Sequence, residues 1–253
     1  MNIDASSSVK VLIVVQARMT STRLPGKVLL TAAGKPLFEH QLERLMRAGA
    51  SHGLVVATTV NASDDPIVAL CGRLKVPHFR GSEEDVLSRY FGAAQAHHAG
   101  AIVRVTADCP LIDPHVIDRV IRYYLDSAPR YDYVSNCFPR TYPRGMDTEV
   151  LSFDALRTAH LEATARPDRE HVTPYVHMHP GRFRLGNVAY KEDHSRHRWT
   201  VDTPEDFELV RRILEALYER KPEFTLEDCL ELLSRHPDWA AINAGVVQKK
   251  YGE

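Results

Sequence analysis

Residues 11–15, VLIVV, are an unbroken run of β-branched and leucine side chains. An alternating pattern would mark a strand with one wet face. A continuous one needs cover on both faces, the environment of a parallel sheet packed between layers of helix. This points the chain towards α/β architectures. The run stops at Gln16, and the residues after it are of opposite character: Arg18, Arg23 and Lys27, with Thr20, Ser21 and Thr22 among them, then the turn-forcing pair Pro25-Gly26. Open α/β sheets bind ligands beyond the carboxyl ends of their strands, so cations and hydroxyl donors placed there read as a cradle for a polyphosphate. It is neither a Walker loop nor a dinucleotide fingerprint, because GxxxxGK[ST] and GxGxxG are both missing.

The same alternation continues downstream. Residues 36–48 space Leu37, Phe38, Leu42, Leu45 and Met46 as a helix, 53–59 read as a strand, and Asp64-Asp65-Pro66 opens a second helix. Another strand is expected at 76–80, then a helix capped by Ser82 with Val86, Leu87, Tyr90 and Phe91 on its apolar stripe. A buried strand, AIVRVT, follows at 101–106, and a helix at 115–125. These βα units predict a doubly wound sheet. From about 131 the rhythm changes: YDYVSN and DTEVLSF read as a hairpin arm over about 131–150. Helices are expected at 152–164, 168–179, 205–219 and 226–234, and strands at 182–190 and 198–201. No Pro/Gly/Ser linker interrupts the chain, so one domain over 1–253 is expected, with a helical tail at about 220–253.

Charge narrows the partners. The formal net charge is −1, with 32 Lys and Arg against 33 Asp and Glu, so a basic site must be local and its ligand a small anion rather than nucleic acid. No apolar run is long enough for a membrane span, and MNIDASSS lacks the features of a signal peptide; a cytoplasmic protein is expected. The four cysteines form no CxxC pair and indicate neither a disulfide framework nor a zinc knuckle.

Two acids stand out by position. Asp108 ends the AIVRVT strand and Asp202 lies in RWTVDTPEDF, between a short strand and a helix start. Two carboxylates at one sheet edge, beside a phosphate cradle, can hold a Mg²⁺ that also meets phosphate oxygens. Arg144, Asp147 and Glu149 mix both charge signs in the hairpin, and Glu170, His171 and Arg198 add a partly basic rim; either set can orient a polar substrate or form surface ion pairs and caps.

The segments QARMTSTRLPGK, GSEEDVLSRY, RVTADCPLIDP, RGMDTEV, REHVTPYVHMHP and RWTVDTPEDF resemble the spore-coat polysaccharide F-type cytidylyltransferases, relatives of the enzymes that activate acylneuraminate and ketodeoxyoctulosonate with CTP. The resemblance runs from residue 9 to about 217. It implies a Rossmann-like GT-A fold of the nucleotide-diphospho-sugar transferases, with a mostly parallel mixed sheet. By position it implies that Arg18 and Lys27 hold the CTP phosphates, with Ser21 and Arg23 lining the same loop, Gln16 and Ala17 among the nucleotide-binding residues, and Ser82 and Asp85 near the nucleotide. It further implies metal binding by Asp108 and Asp202, and an acceptor pocket of Arg144, Asp147, Glu149, Glu170, His171 and Arg198. Arg18, Lys27, Asp108 and Asp202 are then the catalytic set.

The expected reaction is transfer of CMP from CTP to an acidic sugar, with Mg²⁺ as cofactor and pyrophosphate released. The hairpin and the resemblance together suggest a homodimer. Two other readings remain open at this point: a GT-A glycosyltransferase using a ready-made nucleotide sugar, although ADCPLID lacks the usual Asp-x-Asp pair, and a non-catalytic nucleotide-sugar binding protein.

Overall fold

The computed structural model describes residues 9–248; MNIDASSS and residues 249–253 lie outside the described residues. Strand β1 (Val11–Gln16) is followed by a small antiparallel ribbon, β2 (Thr31–Ala32) and β3 (Lys35–Pro36), and helix α1 (Leu37–Leu45). Next come β4 (Leu54–Thr59), α2 (Asp65–Leu74), β5 (His78–Gly81), α3 (Val86–Ala96), β6 (Ala101–Thr106) and α4 (Pro114–Asp126). The second half adds β7 (Tyr133–Ser135), β8 (Glu149–Ser152), α5 (Phe153–Glu162), α6 (Arg166–His171), α7 (Pro174–His177) and β9 (Leu185–Asn187). It closes with α8 (Pro204–Leu217), α9 (Leu226–Arg235) and α10 (Pro237–Ala240).

The main sheet has seven strands in the order β5-β4-β1-β6-β8-β7-β9. Only β8 runs against the rest, pairing antiparallel with β6 and β7, so the sheet is mixed and mostly parallel. The continuous apolar run of β1 has the expected cause. Val11, Ile13 and Val15 face one core with Phe38 and Leu42 of α1, Ile67 of α2 and Ile117 and Ile121 of α4, whereas Leu12 and Val14 face the other with Leu87 and Tyr90 of α3 and Leu156 of α5. A third cluster joins Trp199 and Val201 to α8 and α9 through Ile213, Leu214, Cys229 and Leu233, anchoring the C-terminal helices to the body. Helices α8 and α9 each begin with a capping box, at Thr203 with Asp206 and at Thr225 with Asp228. Among the described residues no helix is long and apolar enough to cross a membrane.

Four local expectations change. The hairpin forms, but both its strands are laid into the main sheet, because the antiparallel β8 is the partner that β6 needs on its open side. Asp85, not Ser82, caps α3: its carboxylate accepts from the Ser88 amide, while the Ser82 hydroxyl accepts from the Asp85 amide. The helix expected at 168–179 is divided into α6 and α7 at Val172, whose φ of 71° and ψ of −52°, with Thr173 N donating to His171 O at 2.8 Å, make a γ-turn. Residues 198–201 form no strand; they make a single parallel bridge between Arg198 and Arg144, and of 182–190 only β9 is strand.

Candidate active site

The parallel register sets Gln16 beside Thr106, so β1 and β6 end at one edge of the sheet. The loops that leave them, carrying the cationic stretch and Asp108, therefore start side by side. Asp202 arrives from far along the chain. Val201 N donates to Asp108 O at 2.8 Å and Thr200 Oγ1 to the same oxygen at 3.3 Å, which ties the segment before α8 to the end of β6.

The cationic loop is shaped by specific contacts. Met19 N donates to buried Asp64 at 2.8 Å, Gly26 N closes back on Met19 O at 3.0 Å, and Gly26 adopts a φ of 69° to start the 3₁₀ turn Lys27–Leu29. Lys27 then points inwards. Its Nζ donates to Asp108 Oδ2 at 2.9 Å and to Asp202 Oδ1 at 2.8 Å. Arg23 pairs with Asp202 Oδ2 at 2.9 Å, and Arg18 with Glu83 Oε1 at 3.5 Å. Burial works against the Lys27 ammonium, but the charges of Asp108 and Asp202 outweigh it and its pKa stands above the ordinary lysine value. Burial likewise opposes the Asp108 carboxylate, and Lys27, with a hydrogen bond from Thr106, brings its pKa down to about 2.

A cavity of about 690 Å³ opens over this clamp. It is lined by Gln16, Ala17, Arg18, Ser21, Arg23, Lys27, Asp108 and Asp202 around the clamp, and by Arg144, Asp147, Glu149, Glu170 and His171 from the second half of the chain. Three expected residues lie elsewhere. Ser82 and Asp85 serve the start of α3, with Asp85 also paired to Arg169 at 2.6 Å. Arg198 is buried behind the site, its Nη2 on Asp202 Oδ2 at 2.7 Å and its Nε on Asp206 Oδ1 at 2.9 Å.

Sequence reasoning missed other residues of the wall. Arg104 stands opposite Glu149 in the β6–β8 register and pairs with it, and Tyr133 Oη donates to Glu149 Oε1 at 2.7 Å. The signal was one charged residue inside the otherwise apolar AIVRVT. Arg140 grips Asp147 with both terminal nitrogens, at 2.5 and 2.7 Å. Glu83 accepts from Arg18, Thr20 and Asn61, fixing the outer side of the cationic loop. The γ-turn at Val172 sets His171 and Thr173 on either side of a sharp reversal at the cavity wall. Burial holds the pKa of both His171 and His177 below the usual histidine value, favouring neutral rings there.

Two carboxylates of hard oxygen donors, both within reach of one ammonium, suit a divalent cation that takes its remaining ligands from phosphate and water. Among the described residues no group of three or more His, Cys, Asp or Glu is gathered as a self-sufficient metal centre.

A mixed α/β sheet whose strand ends present a cationic loop facing paired carboxylates defines the nucleotidyl-transfer class of protein. The chain belongs to the cytidylyltransferase family: the sequence model described as Cytidylyltransferase matches residues 12–227. It is accordingly a CTP-dependent nucleotidyltransferase. The spore coat polysaccharide biosynthesis protein SpsF of Bacillus subtilis (strain 168) is 33% identical over 237 residues, spanning 91% of this chain and 96% of that one. A 3-deoxy-manno-octulosonate cytidylyltransferase of Solibacter usitatus is 28% identical, spanning 82% of this chain and 95% of that protein. The structure of a cytidylyltransferase from Leptospira borgpetersenii serovar Hardjo-bovis superposes with a TM-score of 0.88 at 33% identity, covering 96% of this chain and all of that one.

Proposed function

We propose that the protein transfers CMP from CTP to an acidic sugar of the nonulosonic or ketodeoxy type, with Mg²⁺ as cofactor and release of pyrophosphate, in surface polysaccharide or glycoconjugate synthesis. The observation that carries this reading is the clamp of Lys27 between Asp108 and Asp202 at the foot of the cationic loop. A sugar hydroxyl gives up its proton to water as it attacks the α-phosphorus, a P–O bond forms to the sugar, and the bond to the β-phosphate oxygen breaks. Arg18, Arg23 and Lys27 neutralise the charge that develops on the leaving pyrophosphate, and Ser21 supplies a hydroxyl on the same loop. Asp108 and Asp202 would hold the Mg²⁺, which when bound supplies further charge neutralisation at the phosphates. Arg144, Asp147, Glu149, Glu170 and His171 line the end of the cavity assigned to the acceptor.

The test is pyrophosphate release from each of the four nucleoside triphosphates with Mg²⁺, against a panel of 3-deoxy-2-keto acids and neutral sugar phosphates. Release with CTP and an acid sugar is expected. Release with a neutral sugar phosphate alone defeats the acidic-acceptor reading. The homodimer belongs to the same proposal, and light scattering on the purified chain tests it.

A further inference from the structure

Asp64 lies between β4 and α2, is 1% exposed, and forms no ion pair among the described residues. Its carboxylate is divided instead between two backbone amides. Oδ1 accepts from Met19 N at 2.8 Å, and Oδ2 from Thr59 N at 3.2 Å, with the hydroxyls of Thr58 and Thr59 on that second oxygen too. One oxygen therefore serves the end of β4, and the other the cationic loop, 45 positions away.

Met19 is the junction of that loop. Its carbonyl accepts from Ser21 N and from Gly26 N, both at 3.0 Å, so the limb carrying Arg18 and Ser21 and the limb entering Lys27 meet at one residue. The outer side of the loop is tied to the same strand end. Thr59 Oγ1 accepts from Asn61 N at 3.2 Å, and the Asn61 side-chain amide donates to Glu83, which also takes Arg18 and Thr20.

Charge does not account for an acid at this position. The phosphates assigned to the loop are anions, and a carboxylate next to the loop opposes their binding. What Asp64 supplies is two oxygens for two N–H groups that can only donate. An amide side chain has one oxygen, so it can satisfy either Thr59 N or Met19 N and must turn its NH2 towards the other. The three donors on the β4 side would take the oxygen, which sets donor against donor at Met19.

We propose that Asp64 is a positioning residue for the triphosphate site, acting through Met19 to hold the cationic loop in its phosphate-binding shape before CTP arrives. The proposal rests on the reading above that this loop takes the CTP phosphates.

The test is calorimetric titration of the protein with CTP and with CMP, each with Mg²⁺. Asp64→Asn is expected to weaken CTP binding by about tenfold or more, the order expected for one amide left without its acceptor. CMP lacks the β- and γ-phosphates, and its affinity should change by less than about threefold. Thr58→Val removes a bond on the β4 side alone, and should lower the urea midpoint while leaving CTP binding unchanged. Tighter or unchanged CTP binding in Asp64→Asn, an equal loss for CMP, or an equal loss in Thr58→Val overturns the proposal. Hydrogen exchange on the wild-type protein gives a second reading that needs no variant. The Met19 amide should be protected before CTP is added, and protection that appears only with CTP overturns the proposal as well. Lys27→Ala keeps two failures apart: if it too leaves CTP binding unchanged, the phosphate reading of the loop falls; if it weakens CTP and Asp64→Asn does not, only the positioning role falls.

Discussion

Lys27 donates to two carboxylates that lie 81 and 175 positions away in the chain, and among the described residues no other side chain ties the three segments of the site so directly. Lys27→Ala removes one preorganised cation, worth about 3 kcal/mol of transition-state stabilisation, so turnover with CTP should fall by about a hundredfold or more in a folded protein. A wild-type rate in that variant would remove Lys27 from the phosphate site. Arg198 makes a contrasting case. It is buried with Asp202 and with Asp206, which is fully buried. Asp202 keeps Lys27 and Arg23, but Arg198→Met takes the cation from buried Asp206 and should lower stability by about 3 kcal/mol, read as a shift in the urea midpoint. The position of Asp108 after a strand and that of Asp202 just before a helix start were legible in the sequence; that Lys27 joins them was not, because nothing local links residues so far apart.

At the scale of elements, Gly145 explains why Arg144 reaches the cavity wall. Its φ is 102°, and a Cβ there would stand 2.7 Å from the carbonyl carbon of Trp199, so the hairpin loop can lie against the 198–200 backbone only without a side chain. Arg144 N donates to His197 O at 3.0 Å and Trp199 N to Arg144 O at 2.7 Å across that contact. Gly145→Ala should cost on the order of 2 kcal/mol in stability, with part of the loss appearing as a raised acceptor KM. An unchanged melting temperature would show that the contact is not needed. The segment that Gly145 lies against is distant in the chain, so the reason for the glycine appears only in the fold. The break between α6 and α7 was hidden for a similar reason: residues 168–179 carry ordinary helical spacing, and buried Val172 accepts a left-handed conformation that local preference disfavours.

For the whole molecule, several histidines are folded into the neutral form. Burial, then the neighbouring Arg196 and His194, push the His197 pKa down to about 4, and burial also lowers His40, His160, His171 and His177. A histidine depressed in the native state takes up its proton on unfolding, so the unfolded chain binds more protons below the ordinary value of about 6.5. The stability these groups contribute is complete above that value and is lost as the pH falls towards about 4. Asp108 adds a second loss, between the ordinary aspartate value of 3.8 and about 2. Urea midpoints measured from pH 7.5 to 4 should therefore decline from about pH 6.5 downwards. A plateau extending to pH 4.5 would contradict the neutral burial of these rings.

The sequence by itself determined the class of the fold, because an apolar run without alternation needs cover on both faces and the βα rhythm supplies it. It also determined the chemistry of the cationic loop, because residue type and order within one loop are local information. Tertiary structure decided which charges meet. Ion pairing depends on distances between segments that the chain brings together only after the sheet has formed, and it left Arg198 behind the site, Arg104 in its wall, and Gln248 of the C-terminal segment on Arg198.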